Sequence, residues 1–484
     1  VRRSVVSSLF PLSFLAVGLL LLTACGPSIN RYALIEQHLL AGDAKQADAI
    51  VQQAESSYGS KSRVLYGMDR GMTLQLAGDY RQSSAVLEQA EEDVERLYTR
   101  SIRSETAAFL TNDNALPYEG EAYEQVLLNV MKALNYAVQG QWQESLVEAR
   151  RIDHRLNVLS DKAKEITVYK DDGFARYLTG ILYEATGDVN NAFIAYRKAY
   201  EAYEAMSGWA RTPVPGQLRA DLLRTSEALQ LTAEFEEYRR LFPDQAWQSR
   251  EAVQHLAQVV LVSYNGRAPR KEDRFLDLPI SLDALQLVLL NRGLSHPSRH
   301  QNRGVDTVLY GLNGHVVRVA LPQLIPQKTR VTGEQLMLRD DSGRHISARS
   351  ELGQNITALA EKSLSDRLPG MTVKALARAA AKFAMAEGAT RGAQQAAGKD
   401  AAPLVGLLVG LLTKGLAVAS EEADKRSWQT LPDEIHLTRV WAAPGQYQMS
   451  VQLAGGGANA ANTPGRALAL APGQTTIVIQ RVMQ

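Results

Sequence analysis

The sequence predicts an α+β fold, with an N-terminal domain of helical repeats followed by a mixed β domain carrying inserted helices. Three observations carry this reading. One set of offsets (a small residue, an aromatic, a turn glycine, an alanine) recurs four times before residue 200. After about Glu251 the helical spacing of apolar residues gives way to short strand-like runs, the first being Gln258-Val-Val-Leu-Val-Ser263. Asn265-Gly266, Pro444-Gly445 and Pro472-Gly473 then punctuate such runs, as turns do between strands.

Taken in order, the chain begins with Arg2 and Arg3 and an apolar run from Phe10 to Leu22, the charged and hydrophobic regions of a secretory signal over 1–24. Leu22-Thr23-Ala24-Cys25 follows, and a small pair directly before a cysteine resembles the lipobox of bacterial lipoproteins. That resemblance implies cleavage before Cys25, a covalent lipid on its thiol, and 25–30 as a tether. Gly26 stands where an aspartate would resemble an inner-membrane retention signal, so the expected location is the bacterial outer membrane, facing the periplasm. The membrane is thus an expected contact through the lipid, and no other cofactor is expected.

Composition agrees with an exported scaffold. Losing Arg2 and Arg3 with the leader leaves 51 basic against 52 acidic residues, which argues against nucleic acid as a partner. Cys25 is the only cysteine, so no disulfide is available and packing must hold the fold.

A helical repeat domain is expected over 31–250. Its clearest unit joins Gly180, Tyr183, Gly187, Ala192, Tyr196 and Ala199, and it resembles the tetratricopeptide repeat. Gly71, Leu74, Gly78, Tyr80, Leu87 and Ala90 share the offsets, as do Ala133, Tyr136, Gly140, Trp142 and Ser145. Gly42, Ala47, Val51 and Ala54 fit more weakly. The turn glycines Gly42, Gly78, Gly140 and Gly187 depart from the family's spacing of about 34 residues, so insertions interrupt the array. A fifth pair, 218–229 and 234–241, ends at Phe242-Pro243 and reads as a cap.

The longest insertion ends in Tyr118-Glu119-Gly120-Glu121-Ala122-Tyr123-Glu124, with two acids in the first turn of a helix. Together with Asn129, Asn135, Tyr136 and Glu148-Ala-Arg150-Arg151, this stretch is similar to a family of bacterial outer-membrane lipoproteins with tetratricopeptide repeats. The likeness runs over most of the chain after the leader. It implies a class and a location, and proximity to envelope lipoproteins, some linked to peptidoglycan synthesis, but no activity.

The β domain begins with 251–354, where 258–263, 316–321 and 334–338 read as strands. A helical insertion over 355–422 interrupts it. Ile356, Leu359, Ala360, Leu364 and Leu368 form one stripe, and Val373, Leu376, Ala380 and Phe383 a second helix. Within it 403–412 is apolar with Gly406 and Gly410 four apart, too short to span a bilayer and fit for a buried or inter-subunit helix, with membrane insertion as the alternative. The β domain is completed over 423–484. There Asp424-x-Arg426-x-Trp428 also matches the lipoprotein family, with Trp428 expected to plug the helix-to-sheet junction and Arg426 or Asp424 to pair locally. Two β-hairpins are expected, one about Pro444-Gly445 and one about Pro472-Gly473.

Signals of chemistry are few. His296 and His300 are four apart, but Pro297 breaks the helix that would align them as ligands, so no metal site is expected. Gly392 to Lys399 lacks the spacing and hydroxyl of a phosphate loop, and Asp340-Asp341 reads as a solvated turn. The expected function is therefore a lipid-anchored periplasmic scaffold, not an enzyme, whose repeats bind a protein or peptide of the envelope. The partner-binding residues predicted are Tyr118, Tyr123, Glu124, Asn129, Asn135 and Arg151. Alternatives are an oligomeric membrane-associated assembly or pore component, and an activator of a peptidoglycan enzyme.

Overall fold

The computed structural model describes residues 29–101, 114, 116–162, 171–279, 316–375, 422–455 and 465–483. The leader, Cys25, His296, His300, Gly392 to Lys399 and the apolar stretch 403–412 lie outside the described residues.

Five antiparallel helix hairpins make up the first part. They are α1 (Ile29–Leu40) with α2 (Ala44–Gln53), α4 (Arg63–Leu76) with α5 (Tyr80–Ser101), and α6 (Ala122–Val138) with α7 (Trp142–Lys162). They continue with α8 (Gly173–Ala185) and α9 (Val189–Ala210), then α10 (Gly216–Ala228) and α11 (Thr232–Leu241). A one-turn helix α3 (Glu55–Tyr58) links the first two, and α12 (Arg250–Val253) leads out. Every hairpin turns the same way. Asp79 N–H donates to Leu74 O at 3.0 Å and Gly78 N–H to Gln75 O at 3.0 Å, the paired bonds of a left-handed helix stop, and equivalent pairs recur at Gly42, Gly140 and Gly187. These glycines have φ between 72° and 83°. In the fifth turn Gln230 takes the position, with φ 56°. Where the hairpin arms press together a side chain is excluded: a Cβ on Gly180 would fall 2.3 Å from the Tyr196 ring.

The second part is a β-sandwich. One sheet has the order β10 (Thr475–Val482), β1 (Ala257–Asn265), β7 (Glu434–Ala442), β6 (Glu351–Asn355), with β1 parallel to β10 and antiparallel to β7. The other has the order β5 (His345–Arg349), β4 (Gly333–Asp340), β8 (Gly445–Ala454), β9 (Arg466–Leu470). Ala257, Val259 and Leu261 of β1 point between the sheets, against Leu336, Leu338, Met449 and Val451. The alternate residues Val260, Val262 and Tyr264 point the other way, into the core of the helices. All nine residues of β1 are buried, so the strand is shared by two cores.

Two expectations are corrected. The strands flanking Pro444-Gly445 do not pair with each other, nor do those flanking Pro472-Gly473: β7 pairs with β1 and β6, β8 with β4 and β9, and β10 with β1. Val440 and Ala442 enter the inter-sheet core from one side and Tyr447, Met449 and Val451 from the other, so these turns are corners between sheets. The first helix expected after residue 355 does not stop at Leu368 but runs over 356–375, α13, through Pro369-Gly370, while Leu376, Ala380 and Phe383 of the second lie outside the described residues. It is held by the ribbon of β2 (Arg267–Pro279) and β3 (Val316–Gln327), where Val319 and Leu321 meet Leu368, Met371 and Ala375.

The fifth turn generates a test. A left-handed conformation strains a residue with a Cβ, so Gln230→Gly should stabilise the protein by roughly 1 kcal/mol and Gly187→Ala should destabilise it by about the same. Shifts of the urea midpoint in the same direction for both would refute this account of the turns.

Candidate functional site

The side chains predicted to bind a partner are mostly inside the protein. Tyr118, Tyr123, Glu124, Asn129 and Asn135 are buried, and Arg151 alone of the six is accessible, at 40%. Glu124 accepts hydrogen bonds from the Tyr118 hydroxyl at 2.5 Å, the Glu121 backbone at 2.9 Å and the Trp428 backbone at 2.8 Å. Burial pushes its carboxyl up, and the neighbouring Glu121 adds to this. Burial acts on Glu121 too, but Lys271 and Arg367 overcome it and hold that carboxyl down at about 2. Both acids belong to one reciprocal cap at the start of α6. Asn135 accepts from Gln75 at 2.8 Å and donates to Ser83 at 2.9 Å, tying α4, α5 and α6. The expected partner surface is thus occupied by the chain itself. Trp428 plugs the junction as expected, donating from its indole to Thr430 at 2.9 Å, and Arg426 pairs with Asp424 at 2.6 Å.

What fills the inner face, formed by the first helices of the hairpins, is the sheet β10-β1-β7-β6. From β1, Tyr264 donates to Gln75 of α4 at 3.0 Å. Gln354 of β6 reaches Asp172 at 2.6 Å, and Glu351 accepts from the Gly216 and Gln217 amides at the start of α10. The strongest tie is Arg439 of β7. Fully buried, it pairs with Asp221 of α10 and, at 2.9 Å, with Glu184 of α8; Arg224 pairs with the same two acids at 2.6 and 2.8 Å. Both guanidinium groups lie over the Trp441 ring, 4.9 and 5.3 Å from its centre. Two cations and two anions therefore neutralise one another in the interior, and sequence reasoning missed all four because none carries a motif.

A second polar hub sits at the first hairpins. Asp69 of α4 accepts from Tyr32 at 2.6 Å, Tyr58 at 2.8 Å and Thr430 at 2.9 Å. Burial pushes its carboxyl up to about 6 against the lowering effect of these donors.

An accessible concave feature lies on the opposite side, between α5 and α7. A cavity of about 790 Å³ is walled by Arg81, Ser84 and Glu88 from α5 and by Glu144, Val147 and Arg151 from α7. Glu88 and Arg151, bonded at 2.8 Å, separate it from a smaller one of about 180 Å³ toward Glu92, Glu95 and His154. Beneath them Lys132 pairs with Glu88, with Glu91 at 2.7 Å and with Glu148 at 3.1 Å. Arg151 is therefore the predicted residue that the fold places on a groove. Among the described residues no group of three or more His, Cys, Asp or Glu is arranged to hold a metal, and no helix is long and apolar enough to cross a membrane.

Two tests follow from the buried groups. Arg439→Met leaves two acids with one cation and should cost roughly 3–5 kcal/mol, while adding Asp221→Asn should recover part of that loss; full additivity in urea unfolding would contradict the coupled network. Asp69 binds its proton more tightly folded than unfolded. Its stabilisation is complete below the unfolded value near about 3.9 and is lost as pH rises through about 6. Wild type should accordingly gain about 2 kcal/mol on Asp69→Asn between about pH 7.5 and about pH 4.5, and a constant difference would disprove the assignment.

The chain matches no family model and no curated protein. Among solved structures it is similar to MamA, at 12% identity and TM-score 0.28, covering 46% of this chain and 95% of that one. It is likewise similar to the nearly identical TPR-like repeats of a kinesin light chain from Podosopora anserina, at 15% identity and TM-score 0.29, covering 44% and 90%. PilW, a widely conserved type IV pilus biogenesis factor, is similar at 16% identity and TM-score 0.22, over 44% and 90%.

Proposed function

We propose that this protein is a non-enzymatic scaffold of the bacterial envelope, held to the periplasmic side of the outer membrane by a lipid on Cys25. The observation that carries the scaffold reading is the division of labour between the faces of the repeats. Their inner face is filled by the chain's own sandwich and the segment before it, through Arg439, Tyr264 and Trp428, which tie repeats and sandwich together. The outer groove between α5 and α7 remains open and carries Arg151 on its wall. A protein or peptide partner docks there, and the lipid keeps the pair at the membrane. The anchor rests on the signal-like segment before Cys25 and on the small residues Thr23 and Ala24 that precede it.

A photo-crosslinking amino acid at Glu144, on the exposed rim, is expected to give one discrete adduct in intact envelopes that is lost in Arg151→Glu, whereas the same probe at Arg239 gives none. Cys25→Ser should release the protein from the membrane fraction and abolish labelling by an alkynyl fatty acid. Adducts indifferent to Arg151→Glu would sink the groove, and labelling that survives Cys25→Ser would sink the anchor.

A further inference from the structure

We infer that the groove between α5 and α7 takes an extended cationic segment of another protein, with lysine or arginine at alternate positions; this rests on the reading of the groove as the partner surface. Charge comes first. Glu88, Glu91, Glu92 and Glu95 of α5 and Glu144 and Glu148 of α7 line the two cavities. Against these six carboxylates stand four cations, Arg81, Lys132, Arg151 and Arg155.

Three of the cations are already engaged. Arg151 bonds Glu88 at 2.8 Å, Glu91 at 3.1 Å and Glu148 at 3.3 Å; Lys132 is held by the same three acids, and Arg155 reaches Glu95 at 3.5 Å. Apart from Arg81, these cations would have to leave their pairs to meet an anionic ligand, whereas a cation adds to them. Spacing comes second. The acids of α5 recur once per helical turn, about 5.4 Å, near the repeat of about 6.6 Å between alternate side chains of an extended chain.

Two further features point to a bound peptide. Ser84 is 95% buried (5% exposed), lines the larger cavity, and its hydroxyl has no hydrogen-bond partner. A backbone amide of the segment supplies that partner. Val147, exposed at 41% on the same wall, offers apolar contact for the methylene stem of a lysine.

The test uses the full chain in detergent micelles and fluorescein-labelled octapeptides of alternating lysine and serine, or of alternating glutamate and serine, read by anisotropy. The lysine peptide should bind, weaken with added salt, and weaken at least fivefold in the Glu92→Gln, Glu95→Gln, Glu144→Gln triple variant. All three positions are exposed, so folding is not at risk. Ala85→Trp, also at an exposed position in the larger cavity, should block binding by bulk without altering charge.

Equal or tighter binding of the glutamate peptide, indifference to both variants, or spermine competing as well as the lysine peptide at equal charge overturns the inference. So does failure of both peptides to bind. None of these outcomes decides the groove itself, because the crosslink from Glu144 is read independently of what charge the partner carries.

Discussion

The structure depends on keeping charge in a place without water. Arg439 leaves the sheet on β7 and ends among the helices, where an unpaired guanidinium would be prohibitive. Asp221 and Glu184 remove that cost only if α8 and α10 stand at the right separation, and Arg224 completes the balance. Buried ion pairs of this kind add little net stability over apolar packing, but they punish misplacement severely. Their contribution is therefore to register: they determine which part of β7 faces which hairpin. Glu184 is held far below the usual carboxylate range, since burial is overcome by the two arginines, and Arg439 is held above its ordinary value because the Asp221 carboxylate beside it outweighs burial.

That registration explains why the repeats do not form an open superhelix. A solenoid of hairpins usually leaves its inner face for a ligand. Here β1 occupies it, with Val260, Val262 and Tyr264 packed on the helices and Val259 and Leu261 packed on the second sheet. The strand has no solvent face, so removing either layer would expose a continuous apolar row. Repeats and sandwich thus share a hydrophobic core running from Ala54 to Ile477, and the polar hubs at Asp69, Glu124 and Arg439 are spaced along that seam.

Local rules were legible in the sequence and long-range ones were not. The turns at Gly42, Gly78, Gly140 and Gly187 could be read because a left-handed stop depends on a few adjacent residues. Trp428 could be placed at the junction because a large aromatic between a charged stretch and a strand has few other places to go. The strands about Pro444-Gly445 were misread as a hairpin because a short link serves a hairpin and a sheet-to-sheet corner equally, and the choice rests on β1 and β4, far away in sequence. Most of the predicted site is covered for the same reason. Glu124 and Tyr118 have the composition of an interface, and they do line one, but the surface that meets them is Trp428, 304 residues on in the same chain.

The contrast between the two charged clusters separates structure from recognition. Around Arg439 the pairing is closed: Arg439, Arg224, Glu184 and Asp221 bond among themselves, and the aromatic roof of Trp441 shuts them in. Around Arg151 the same chemistry is left open on one side. Lys132 is fully buried, yet its partner Glu88 is 39% exposed and Arg151 40%, so the cluster grades from interior to solvent within one helical turn. Desolvation fixes the geometry at the bottom of the groove while the carboxylates at its rim keep their water. A ligand of the kind proposed would meet preorganised charges and displace only surface water, which favours quick, salt-sensitive and reversible docking.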